Sequence, residues 1–204
     1  MKHLKEMSLI PARLKRDLAI TFSKELPKYF TKREVAEILD CADNPRDHLL
    51  INLLWQTGAR VSELLDVRIN NIDFYAKIIK ISTLKQKPKN GSLPFRIIPI
   101  KGDIIGEIGA YIGQRGLRKE DRLFRITRQR AYQVISKLCE KARIDRERSH
   151  PHTFRHSFAI HCVLNGVPVL VLKTWLGHKD VMDTLIYTQV LAQDTRQFID
   201  QMVF

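Results

Sequence analysis

The sequence predicts an α+β chain that is mostly α-helical and carries one small antiparallel sheet. Two observations predict it. Apolar residues recur at helical spacing up to Val67 and again from Asp103 onward, with capping residues and glycines at several of the expected ends. Between these stretches the period changes, because "NIDFYAKIIKIST" and "FRIIPI" are short β-branched runs on either side of the turn-rich "KPKNGSLP".

Taken in order, residues 1–30 are basic and punctuated by Pro11 and Pro27, which reads as an arm or tail ahead of a domain spanning 31–204. "TKREVAEIL" opens the first helix: Thr31 and Glu34 have capping-box spacing, and Val35, Ile38 and Leu39 form the apolar stripe. "NPRDHLLINLLWQTG" is the second, with Asn44 as N-cap, Pro45 in the first turn and Gly58 as the stop. "ARVSELLDV" is the third, burying Val61, Leu64 and Leu65. After the sheet, helices are expected over Asp103 to Gln114, Thr127 to Ala142, Thr153 to Asn165, Val169 to Leu176, Met182 to Val190 and Thr195 to Met202. Gly166 and Gly177 stand where C-caps belong.

Charge narrows the class of partner. Lysine and arginine number 35 against 22 acids, a formal net charge of +13. The excess is segregated: Phe74 to Gly102 holds seven basic residues and no acid, while the chain after Lys179 leans acidic. One face built for a polyanion is the expectation, with a solvated basic surface as the plain alternative. Cys41, Cys139 and Cys162 are widely spaced, so neither a disulfide framework nor a thiolate zinc site is indicated. No apolar run approaches membrane-spanning length, and a cytoplasmic protein with no membrane partner is expected.

Three constellations carry candidate chemistry. "HPHTFRHSFAIH" places His152, Arg155 and His156 on one side of a helix and Phe154 and Phe158 on the other. A helix start bearing an arginine and an imidazole suits an anionic oxygen; a capping histidine beside a surface arginine is the structural alternative. His152 and His156 are four apart, as zinc ligands on a helix are, but no glutamate lies between them and no third ligand is suggested by spacing. No metal is therefore expected. In "TGARVSELL", Arg60 and Glu63 form either an exposed i,i+3 pair of little consequence or a pocket arginine with its support. In "WLGHKDVMDTLIYTQV", His178 follows a helix and Tyr187 comes nine residues later, a position that suits a packing tyrosine equally well.

Arg60 in "GARVSELL", a lysine in the basic hairpin, His152 and Arg155 in "HPHTFRHSFA", His178 in "LGH" and Tyr187 in "IYTQV", in this order and at these intervals, resemble the tyrosine recombinase (phage integrase) family. The likeness covers the catalytic domain from about Thr31 to Val190 and implies that family's fold, with a three-stranded antiparallel sheet. It further implies that Tyr187 attacks a phosphate of double-stranded DNA, that Arg60 and Arg155 bind the non-bridging oxygens, and that His178 donates a further hydrogen bond. His152 would handle a proton near the tyrosine, Glu63 would orient its neighbours, and Lys85 in "STLKQKPK" would protonate the leaving 5′-oxygen, with Lys87 and Lys89 as competing candidates for that acid. Lys87, Lys89 and Arg96 would contact DNA. No cofactor is implied; a homo-tetramer on paired DNA sites, with accessory DNA-binding proteins as further partners, is. With only about thirty residues ahead of Thr31, the chain resembles the short members that lack an N-terminal clamp domain. "TRQFIDQMVF" would dock on a neighbouring protomer or pack on its own domain. Three other readings stay open: a relaxing topoisomerase of the same chemistry, a DNA-binding regulator without strand exchange, and a metal-dependent nuclease.

Overall fold

The structure, a computed structural model, describes residues 26–83 and 94–193. Helices α1 (Lys32–Asp40), α2 (Pro45–Thr57) and α3 (Val61–Leu65) come first, then a 3-10 turn (Ile69–Asn71) and strands β1 (Ile72–Asp73), β2 (Ile78–Ser82) and β3 (Phe95–Pro99). Helices α4 (Gly102–Arg115) and α5 (Arg128–Lys141), a 3-10 turn (Arg146–Arg148), α6 (Pro151–Leu164), α7 (Val169–Leu176), α8 (Met182–Leu185) and a 3-10 segment (Ile186–Gln193) follow. The α+β, mostly helical class is as expected. None of these helices is long and apolar enough to cross a membrane.

Local signals set the helix ends. Thr31 and Glu34 close both halves of the capping box on α1, and the Asn44 side chain accepts from the Asp47 N–H at the start of α2. Pro151 takes the first turn of α6, so that helix starts two residues earlier than Thr153. The expected helix over Met182 to Val190 divides instead: α8 is a single turn, and from Ile186 the chain tightens into the 3-10 segment that carries Tyr187.

The sheet is antiparallel in the order β1-β2-β3, with Ile79 opposite Ile98 and Ile81 opposite Arg96. Its side chains alternate, so Arg96 shares the inward face with Ile98 and is 5% exposed. The expectation of Arg96 as a DNA-facing cation meets a different geometry: the pleat turns it into the protein.

Helix α6 packs on α2 and α7 and joins two apolar clusters. Phe154 belongs to the larger one with α1, α2, the sheet, α4 and α5, whereas Phe158, Ala159, Ile160, Cys162 and Val163 pack with Leu172, Leu176 and Tyr187 in the smaller. Residues 155 and 156 fall at the seam between them. The boundary expected at Thr31 also moves. Phe30 is 1% exposed, its ring lies 4.8 Å from that of Phe154, and its N–H donates to Ser157 Oγ at 2.7 Å. Residues 26–30 thus belong to the packed domain and not to an arm.

Gly58 ends α2 with φ of 58°, and an added Cβ would run into the Phe158 ring. Gly58→Ala combines left-handed strain with overpacking and is expected to cost about 2–4 kcal/mol of stability, read as a lowered urea midpoint at unchanged m-value.

Candidate active site

The left-handed turn at Gly58 releases the chain so that Arg60 becomes the N-cap of α3 and Glu63 its third residue. The Glu63 carboxylate accepts from the Arg60 backbone N–H at 3.1 Å, from Arg60 Nη1 at 2.8 Å and from Arg96 Nη2 at 2.7 Å. Glu63 is 2% exposed, so this pair is no solvated surface contact. Burial would raise its pKa, but hydrogen bonds and charge from Arg96, then from Arg60, outweigh it and hold the carboxyl below its ordinary range. Arg96 also donates from Nε to the Trp175 carbonyl at 2.6 Å. It thereby ties β3 to the end of α7 and to α3.

Arg155 does comparable work from α6. Its Nη1 donates to the Gly58 carbonyl at 2.8 Å and its Nη2 to the Leu176 carbonyl at 2.6 Å. Both carbonyls lie at helix C-termini, where oxygens lack an intrahelical partner and the dipole favours a cation. Arg155 is 4% exposed, and burial followed by the Arg60 charge pulls it down to about 10, so it remains charged at neutral pH. A cavity of about 240 Å³ opens beside it, lined by Arg60, Ser62, Arg128, Tyr132, His152 and Arg155. Three guanidiniums on one concave wall favour an anion with several oxygens.

The phenol is not part of that lining and meets α6 at His156, one residue beyond Arg155. Tyr187 is 3% exposed, and its hydroxyl is hydrogen-bonded to His156 Nδ1 at 2.9 Å. The His178 ring stacks on it, with centroids 6.5 Å apart and planes 21° apart, while His178 Nδ1 pairs with Thr184 Oγ1 at 2.9 Å. Burial, then the charges of His152 and Arg155, pushes His156 down to about 4; burial and the Arg155 charge do the same to His178. Both imidazoles are neutral at pH 7. Burial likewise raises the Tyr187 phenol.

The structure thus brings Arg60, His152 and Arg155 to one cavity, with Glu63 behind Arg60. Tyr187 and His178 lie together against the next turn of α6 and the start of the 3-10 segment. Lys85, Lys87 and Lys89, with the expected helix over Thr195 to Met202, lie outside the described residues. The imidazole at the tyrosine hydroxyl is His156, one residue after Arg155, where the sequence pointed to His152. Arg128 and Tyr132 were also missed. Arg128 stacks 5.4 Å over the Tyr132 ring, and their i,i+4 spacing at the start of a basic helix was the available signal. Among the described residues no group of three or more histidine, cysteine, aspartate or glutamate side chains is placed to hold a metal ion.

A mostly helical scaffold with three guanidiniums around one open cavity offers a place for an anion with several oxygens. Residues 28–194 match the family model described as the phage integrase family, so the chain belongs to that family. A tyrosine recombinase of Pseudothermotoga lettingae is 30% identical over 185 residues, covering 88% of this chain and 62% of that protein. The chain therefore spans less than two thirds of that relative's length. The crystal structure of XerA recombinase superposes with a TM-score of 0.73 at 26% identity, covering 87% of this chain and 66% of that one. The catalytic domain of bacteriophage HP1 integrase gives 0.66 at 25% identity, covering 87% of this chain and 95% of that one.

Two consequences for stability follow from the charges. Glu63→Ala leaves Arg96 buried without its carboxylate and is expected to cost about 3–5 kcal/mol, measured by denaturant unfolding. His156 and His178 have folded pKa values near 4 against an ordinary 6.5, so the unfolded chain binds protons that the folded chain refuses. Stability should fall as pH drops from 6.5 towards 4, and these two groups should leave it flat above about pH 7, as read by the melting temperature across that range. Glu63, whose pKa is held below its ordinary 4.5, adds to the loss from around that value downward.

Proposed function

We propose that this chain is the catalytic domain of a site-specific DNA recombinase, cutting and rejoining duplex DNA through a 3′-phosphotyrosyl bond to Tyr187. The single observation that carries the reading is the convergence of Arg60, His152 and Arg155 on one cavity, with the Tyr187 hydroxyl held by His156, the residue after Arg155 on the same helix. Negative charge grows on the non-bridging oxygens as the phenol oxygen attacks phosphorus. Fixed guanidiniums meet that charge without reorganising, which is where such sites gain most of their rate. Arg60 is pre-aimed by Glu63, and Arg155 by two backbone carbonyls, so neither has to be ordered when DNA arrives.

The P–O5′ bond breaks as the O–P bond to Tyr187 forms, so its free energy is kept in the new ester and no cofactor enters the scheme. Stacked on the phenol, His178 donates to the same phosphate, and Lys85 protonates the leaving oxygen. Double-stranded DNA is the substrate, met by the basic surface, Lys87 and Lys89 included, in the cytoplasm. Four copies act on two sites, with accessory DNA-binding proteins where the element requires them. Arg96 serves the reaction from inside, through Glu63, and not as a DNA contact.

A nicked duplex carrying sequence from beside the gene tests this, since the released fragment diffuses away and traps the covalent stage. Wild type should give a protein–DNA adduct that survives denaturation, and Tyr187→Phe should give none. Arg60→Ala should form the adduct roughly 10²–10³-fold more slowly while keeping its fold. Exchange between two sites, compared with relaxation of a plasmid that has one, separates recombination from a topoisomerase activity. DNA binding without any adduct would identify a regulator instead.

A further inference from the structure

We propose that His156, and not His152, takes the phenolic proton of Tyr187 as its oxygen attacks phosphorus. The inference rests on Tyr187 being the nucleophile. Of the two imidazoles on this part of α6, His152 is exposed and lines the open cavity with Arg60 and Arg155, on the phosphate side. His156 is half-buried and meets the hydroxyl itself, Nδ1 to phenol oxygen at 2.9 Å, with ring centroids 5.8 Å apart. That is the reach required of a general base.

The electrostatics agree with this geometry. His156 is neutral in the free chain, so one ring nitrogen carries a lone pair for the phenol to donate to. The groups that disfavour its protonation, besides burial, are His152 and Arg155 on its own helix; the Tyr187 phenol faces it from the 3-10 segment. A phosphodiester anion seated against Arg155 offsets that positive charge, so His156 becomes more basic when DNA is bound than when it is absent. In the step itself the Tyr187 O–P bond forms and the P–O5′ bond breaks. The phenolic proton passes to His156 Nδ1, and the 5′-oxygen leaves with a proton from the general acid. Religation returns each proton to its origin.

Single-turnover cleavage of the nicked duplex tests the assignment with His156→Ala, His156→Gln and His152→Ala, each with and without added imidazole. His156→Ala should slow adduct formation by roughly 10²-fold or more, and imidazole should recover part of that loss in proportion to its concentration. His156→Gln should stay slow with normal DNA binding and no rescue, because an amide holds the phenol but takes no proton. Should the alanine variant fail to fold, the glutamine variant decides alone. Cleavage by His156→Gln at the wild-type rate or faster overturns the proposal, as does imidazole rescue of His152→Ala but not of His156→Ala. Absence of a Tyr187-dependent adduct in wild type would instead remove the nucleophile assignment on which the proposal stands.

Discussion

Burying positive charge is the constraint around which this fold is arranged. Arg60, Arg96 and Arg155 converge near the junction of α2, α3, β3 and α7, and Glu63 is the carboxylate that answers two of them. Three guanidiniums against one carboxylate leave a balance of 3 − 1 = +2. An interior with so low a dielectric tolerates that only where backbone oxygens solvate the cations, which Gly58, Trp175 and Leu176 supply. The remaining charge faces a cavity open to an anion. Ligand recognition and internal solvation are therefore two aspects of one arrangement.

Burial first, and the same field second, explain the state of the histidines. An imidazolium at either position would lose its water and sit near the Arg155 charge, so His156 and His178 stay neutral and act through single lone pairs and single N–H groups. Neutral imidazoles can both accept and donate, which the proposed reversible transfer would require of the groups around Tyr187. Tyr187 is held in apolar surroundings between them, where a phenolate is disfavoured until an electrophile is present.

Much of the scaffold was legible because its signals are local. Thr31 with Glu34, Asn44 with Pro45, and Gly58 and Gly177 each speak within four residues, and the helices begin or end where they indicate. The inward turn of Arg96 was not legible, because "FRIIPI" is apolar on both faces around it, with Phe95 and Ile97 outward and Ile98 inward, and its charge argued for the surface. What stayed hidden depends on partners distant in the chain. Arg60 and Glu63 are three apart, but the same carboxylate also answers Arg96, 33 residues beyond Glu63. His156 and Tyr187 are separated by 31 residues and meet only because the chain tightens into a 3-10 segment after Leu185. No periodicity predicts that choice of imidazole.

The end of α7 is held in an unusual way. Its Trp175 and Leu176 carbonyls are gripped by arginines from β3 and α6, while Leu170 and Val171 on the same helix stand open to solvent. Cationic fingers, together with the buried Leu172 and Leu176, thus set where the following segment begins. Arg155 has N–H groups beyond the two spent on Gly58 and Leu176, and its side chain lines the open cavity. Under the proposed function, the tether that aligns the phenol-bearing stretch and the clasp on the anion are the same planar group, so attacker and target would be registered against one another through a single side chain.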